Sequence, residues 1–212
     1  MSEAYHTTRF APDPRRDILW RSLWQYHYRH MVDREDCVLD LGAGHGSFIN
    51  NVVARRRIAV DAWPGFLGHL AEGVEGIVAP ADDLSALEPG SVDFAFASNL
   101  FEHLSQADAA SCLAGLRRAL SLRGRLVLLQ PNWRHAWRQY FDDYTHVTVW
   151  SDIGLADFLR AEGFDIVSVA PRFLPLTIKS RLPTHPWLIA AYLASPIKPM
   201  AGQMQIVAKP QR

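Results

Sequence analysis

Cysteine is scarce in this chain: Cys37 and Cys112 are the only two in 212 residues. That is too few for a disulfide framework and suits a reducing compartment. Net charge is missing too. Twenty-two Lys and Arg balance twenty-two Asp and Glu, so no excess of positive charge recommends a polyanion as the main partner, and nucleic acid starts disfavoured. Long apolar runs are absent. The stretch from Trp187 to Ile197 already contains Ser195 and Pro196, and nothing approaches the ~20 residues that span a bilayer. The opening residues MSEAYHTTRFAPDPRRD lack the apolar centre of a secretory signal. No repeat or low-complexity tract divides the chain, and its 49% hydrophobic and 21% charged residues exclude a disordered or collagen-like polymer. One cytoplasmic domain with a real core is expected.

What is present alternates. Asp13-Pro14 reads as a helix start, a carboxylate cap followed by proline. Beyond it Leu19, Leu23, His27 and Met31 recur every four residues, flanked by Trp20, Trp24, Tyr28 and Val32. That is one apolar helix face, read chiefly as core packing, with a substrate cleft as the alternative. CVLDLG (37–42) looks like a buried parallel strand with a helix behind it. Further strands are expected at 56–63, 76–84, 91–100, 124–132, 164–170 and 203–210, and helices at 105–120 and 152–162. Strands alternating with helices imply right-handed crossovers and a largely parallel sheet covered on both faces, an α/β fold.

The segment Asp40-Leu41-Gly42-Ala43-Gly44-His45-Gly46 falls between the first strand and that helix. Glycines there let the turn close and the backbone approach a ligand, beside unpaired N–H groups at a helix start. A dinucleotide fingerprint reads G-x-G-x-x-G, but here the third glycine comes one residue early and Ser47 follows it. Asp61 closes the second strand nineteen residues after Gly42, where a carboxylate accepts both hydroxyls of a ribose. The combination asks for an adenosine-like ligand.

At these residues the chain resembles the class I methyltransferases that use S-adenosylmethionine. VLDLGAGHGSF matches their first motif, IAVDAWP the acidic second strand and APADDL the adenine loop. SVDFAFASNLFEHL matches the fourth strand with its trailing Glu-His, and GRLVLLQPN the fifth. The resemblance runs from about Asp36 to Arg212. It implies a single Rossmann-like doubly wound sheet, mostly parallel with an antiparallel last strand, S-adenosyl-L-methionine as cofactor, and methyl transfer as the activity. It further implies Asp40, Gly42 and Gly44 at the methionine part of the cofactor, and Asp61, followed by Ala62, at the ribose. Asp82 falls at the adenine amino group with Ala81 and Leu84 near the ring, and the backbone of Asn99 at the methionine end. The Gly-Asp pair common at the end of the third strand is Ala79-Pro80 here, which leaves Asp83 as an alternative adenine carboxylate.

An acceptor must sit in line with the departing sulfur, and an oxygen or nitrogen acceptor must lose a proton. Histidine suits that task near neutral pH. His103 follows Glu102 after the fourth strand, and His146 lies in DDYTHVT after the fifth. Loops at the carboxyl ends of parallel strands build sites, so both are candidates for the base, His146 ahead of His103, each against a structural role. Asp142, Asp143 and Tyr144 add proton donors and acceptors, or helix caps. The chain is also similar to small-RNA 2′-O-methyltransferases around Glu-x-x-Glu-His and a later Asp-His, where a divalent ion is held. Here the first carboxylate position is Asn99, leaving Glu102, His103 and His146, and no metal is expected.

By function the chain divides into a helical segment (1–35), a cofactor-binding core (36–170), a lid-like insertion (171–202) and a final strand (203–212). The insertion mixes Phe173, Leu174, Leu176, Ile178, Leu182, Trp187, Leu188, Ile189, Tyr192, Leu193 and Ile197 with Arg172, Lys179, Arg181 and Lys198. Such a surface suits a cap over a small pocket, a peripheral contact with an anionic lipid-linked acceptor, or a homodimer face. A small-molecule or glycan-type acceptor is preferred, because the chain is also similar to methyltransferases of polysaccharide assembly. The competing readings are an inactive cofactor-binding partner or sensor module, and metal-assisted methylation of RNA.

Overall fold

The computed structural model describes residues 13–175 and 184–211. Expectations that fall on Leu176, Ile178, Lys179, Arg181 and Leu182, or on the residues before Asp13, lie outside them. β1 (Cys37–Leu41) is buried at all five positions, as a strand covered on both faces must be. Beside it lie β2 (Arg56–Asp61), β3 (Val74–Val78), β4 (Val92–Ser98) and β5 (Leu120–Pro131), all parallel. β7 (Ala201–Pro210) enters antiparallel between β5 and β6 (Phe164–Pro175), and the order is β3-β2-β1-β4-β5-β7-β6. The fold is therefore the expected Rossmann-like sheet with an antiparallel last strand.

The helices start where their caps predict. Asp13 accepts the Arg15 N–H at 3.0 Å to open α1 (Pro14–Tyr26). Ser105 and Asp108 cap α2 (Gln106–Ala119), and Ser151 caps α4 (Asp152–Ala161), which Gly163 stops at φ 84°. A short α3 (Trp133–Ala136) and α5 (Pro186–Ala194) complete the set. Alternation along the strands sends side chains to two cores. Leu39, Leu41 and Leu128 pack with Cys112, Leu113 and Leu116 of α2 and Leu155 of α4. Val38, Phe94 and Phe96 pack with Leu23, Tyr28 and Phe48. Phe96 lies 4.1 Å from Phe48, 5.0 Å from Tyr28 and 5.9 Å from Trp20 between ring centroids, so the aromatics of α1 build core, as read.

Several expectations need correction. No α-helix follows β1: the chain runs through turns into a 3-10 stretch, Ile49–Asn51. The Asn51 side chain bonds the Ser47 carbonyl and Asn50 bonds His69 and Ala71, which draws that stretch away from helical pairing. β2 ends at Asp61 because the Trp63 N–H bonds back to the Asp61 side chain at 2.8 Å. β3 lies at 74–78 rather than 76–84; its last ladder donor is Ala79, and Pro80 has no N–H to continue it. The four-residue stripe on α1 breaks at His27, whose Nε2 lies 3.0 Å from Gln205 Oε1 on β7. The 171–202 insertion is not wholly irregular: β6 continues to Pro175, α5 occupies nine residues and β7 begins at Ala201.

Candidate active site

β1 ends at Leu41 and the chain turns at once. Gly42, Gly44 and Gly46 take φ values of 73°, 52° and 65°, a region open to glycine and costly to other residues. A Cβ on Gly42 would stand 3.0 Å from Leu100 Cδ1, so the loop is pressed against the end of β4. Gly42 and Ala43 donate to the Val60 carbonyl at 2.8 and 3.2 Å. Gly44 donates to Asp61 Oδ2 at 2.8 Å, and Trp63 to Oδ1 at 2.8 Å. The N–H groups of Gly42, Ala43 and Gly44 are thus engaged within the chain, where unpaired donors were expected. Each Asp61 oxygen holds one backbone donor and keeps a further lone pair, and the residue remains 8% exposed.

Asp40 is buried beneath the loop. Burial pushes its carboxyl up to about 7, against the opposing bond from Ile49 and with the Asp61 charge adding to the rise. In the adenine loop, Asp83 accepts the Ser85 N–H at 3.1 Å and is held below the usual carboxylate range by its bonds to Ser85. Asp82 and Ala62 are exposed and Ala81 is half-buried. Leu84 is buried in the core and packs against Gly115. Sequence reasoning missed one feature of this side: His45 stacks on His69 at 4.1 Å, with Trp63 5.6 Å from each ring.

Across the sheet, the carboxyl end of β4 and the loop after α3 bring the two histidines together. Their rings lie 4.8 Å apart. His103 Nδ1 faces two oxygens of Thr145, the hydroxyl at 3.0 Å and the carbonyl at 3.2 Å. A carbonyl can only accept, and the Thr145 hydroxyl donates to Asp143 Oδ1 at 2.6 Å. Nδ1 must therefore carry the proton of the neutral ring, which leaves Nε2 as its basic nitrogen. Burial, then the neighbouring His146, pushes His103 down to about 4. His146 Nε2 stands 3.9 Å from Glu102 Oε1, and the Tyr140 ring lies 5.0 Å from the His146 ring.

Glu102 is fully buried and its Oε1 has no hydrogen-bond partner. The Gln130 amide donates to its Oε2 and accepts the Phe101 N–H at 3.3 Å. Burial pushes the Glu102 carboxyl up to about 8. Among the described residues Glu102, His103 and His146 could offer ligand atoms within 4.8 Å of one another. One carboxylate and two imidazoles make a poor set for a hard divalent ion, and Asn99 in the further position turns its side-chain oxygen to Gln203.

A doubly wound sheet with a glycine turn after β1 and a carboxylate closing β2 is a frame on which nucleoside cofactors are bound. Residues 39–128 match the methyltransferase domain family, and over that stretch the chain is similar to S-adenosylmethionine-dependent methyltransferases. Its fold is similar to an S-adenosylmethionine-dependent methyltransferase of Archaeoglobus fulgidus (TM-score 0.71, 18% identity, 97% of this chain and 98% of that one). It is also similar to a chain of a complex between the Haloferax volcanii Trm112 methyltransferase activator and a methyltransferase (TM-score 0.68, 18% identity, 99% and 96%). Among curated proteins it is 31% identical over 108 residues to an uncharacterized 37.1 kDa protein in transposon TN4556 of Streptomyces fradiae. That match covers 46% of this chain and 31% of the relative.

The residues fit S-adenosylmethionine, the cofactor that the matched domain implies: each Asp61 oxygen keeps a lone pair, beside a glycine, Gly44, held at a φ of 52°. Bound, the cofactor supplies an electrophilic methyl group on a sulfonium. Among the described residues no helix is long and apolar enough to cross a membrane.

Proposed function

We propose that the chain methylates a hydroxyl of a small-molecule or glycan-type acceptor, with His103 as the base and His146 beside it. Asp61 and the glycine turn hold the cofactor, Asp82 serves the adenine amino group while Asp83 turns to Ser85, and the turn at Asn99 meets the methionine end. The observation that carries the reading is the chain of bonds Asp143–Thr145–His103. It fixes the tautomer and leaves Nε2 as the basic nitrogen, the arrangement by which an orienting carboxylate readies an imidazole. This reverses the order of the two histidines expected from the sequence. His103 would take the hydroxyl proton at Nε2, and the cofactor held by Asp61 and the glycine turn would supply the methyl group to the acceptor oxygen. A low pKa keeps the imidazole unprotonated at neutral pH and so able to accept.

α5 caps the acceptor side in this reading. α5 contains no charged residue and no buried one, and Trp187, Ile197 and Met200 are exposed around it. Purified enzyme given methyl-labelled cofactor with sugars, lipid-linked glycans, phenols and an RNA oligomer, each with and without EDTA, tests the reading. Label is expected on a hydroxyl of a small or glycan acceptor and unaffected by EDTA. Label on RNA alone, abolished by EDTA and restored by manganese, would replace it with the RNA reading. Cofactor binding with no transfer to any acceptor would favour the inactive module.

A further inference from the structure

Two non-glycine residues among those described hold a positive φ: Asn99 at 49°, just past β4, and Met200 at 57°, just before β7. L-residues enter this region at a cost and stay only where neighbours fix them. The bonds that fix Asn99 are on view. Its N–H donates to the Leu129 carbonyl of β5 at 2.8 Å, and its Nδ2 donates to Ser98 Oγ at 3.3 Å. Its Oδ1 accepts from Gln203 Nε2 at 2.7 Å.

Gln203 is 6% exposed and opposes Pro131 at the start of β7. Asn132 locks that start by donating to the Gly202 carbonyl at 2.8 Å. On the other side of the turn, Leu100 lies against Gly42, where a Cβ would stand 3.0 Å from its Cδ1. Gln203, the turn at Asn99 and Leu100, and the glycine loop thus form one run of direct contacts. Met200, three residues before Gln203, immediately precedes that strand, where the chain arrives from α5.

We infer that Gln203 is a positioning residue of the cofactor site. Its amide holds the left-handed turn at Asn99, keeps Leu100 against Gly42, and ties the strand that follows α5 to the glycine loop. Gln203 touches no reacting atom in this scheme. The inference rests on reading the Asn99 turn and the glycine loop as the methionine end of the cofactor site.

The test compares wild type, Gln203→Leu, and the double variant Gln203→Leu with Asn99→Gly, since glycine adopts the left-handed turn without a tether. Calorimetry with S-adenosylhomocysteine is expected to show about tenfold weaker binding in Gln203→Leu, the scale of one strained residue released. The double variant should recover the affinity. Amide hydrogen exchange at 99–101, measured without ligand, should quicken in Gln203→Leu and slow again in the double variant. Unchanged affinity and exchange in Gln203→Leu would overturn the inference. So would a loss that Asn99→Gly fails to recover, because that is a packing defect. A wild type that binds no S-adenosylhomocysteine while exchange follows the expected pattern would strike the cofactor reading and still support the tether.

Discussion

The two sides of the crevice are built in different ways. On the β1–β2 side the working contacts are backbone donors on one carboxylate, and they join near neighbours in sequence: Gly44 and Asp61 are 17 residues apart, Trp63 and Asp61 two. On the β4–β7 side they are side chains that meet from afar: His103 and Thr145 are 42 residues apart, Gln203 and Asn99 are 104. Backbone bonds survive most substitutions, whereas side-chain bonds change with a single one. The first construction suits the part of a cofactor that many enzymes share, and the second lets single substitutions adjust the methionine end and the acceptor side.

The largest expected effect breaks the first side at its centre. Asp61→Ala removes the partner of two N–H groups and the ribose carboxylate together, and calorimetry should show cofactor affinity lost by about 100-fold or more, since bonds to charged groups are worth ~1.5–3 kcal/mol each. Retained affinity would mean that this side does not depend on its carboxylate. Next is the second side: His103→Ala should lower kcat by about 100-fold, the scale of a general base, with cofactor affinity kept. Thr145→Val, which leaves the ring but removes a hydroxyl that orients it, should cost about tenfold, the worth of one buried hydrogen bond. Equal, near-zero losses in both would transfer the base to His146.

A smaller effect concerns pH. The folded chain holds Glu102 up at about 8, against an ordinary 4.5, so it binds more protons than the unfolded chain between those values. Its native stability therefore falls as pH rises through that window. Glu102→Gln removes this titration, and its Tm relative to wild type should climb from about pH 5 to about pH 8. A constant difference would show that Glu102 is ionised in the fold. Smallest is the contrast in the adenine loop: Asp82→Ala should weaken cofactor binding about fivefold, one hydrogen bond, and Asp83→Ala should leave it near wild type.

What the sequence disclosed follows the same division. The strand cores, the cap residues Asp13, Ser105 and Ser151, the glycine turn and Asp61 are local patterns, each legible within a short window. Boundaries moved where a single bond intervened, as when the Asp61 side chain ended β2 or Pro80 ended β3. The missing helix after β1 falls on Asn50 and Asn51, weak helix formers whose signal the glycine-turn pattern outweighed; their partners are Ser47, His69 and Ala71. Glu102 stood beside His103 in plain sight, yet its burial and its bond to Gln130 depend on strand neighbours far along the chain. Asp143 and Thr145 did carry a signal: their Asp-x-Thr spacing is that of an Asx turn, and Thr145 N–H does bond Asp143 Oδ1 at 3.1 Å. Gln203 gave none.

The place of β7 also bears on how the molecule comes into being. On the ribosome, β5 and β6 are both made before residues 201–210, and neither has its shared neighbour until that stretch emerges. For that interval two open strand edges face the cell, the exposure that invites mispairing and slow closure. The crevice therefore matures in order, its β1–β2 side able to form early and its β5–β7 side among the last pieces of the fold to be completed.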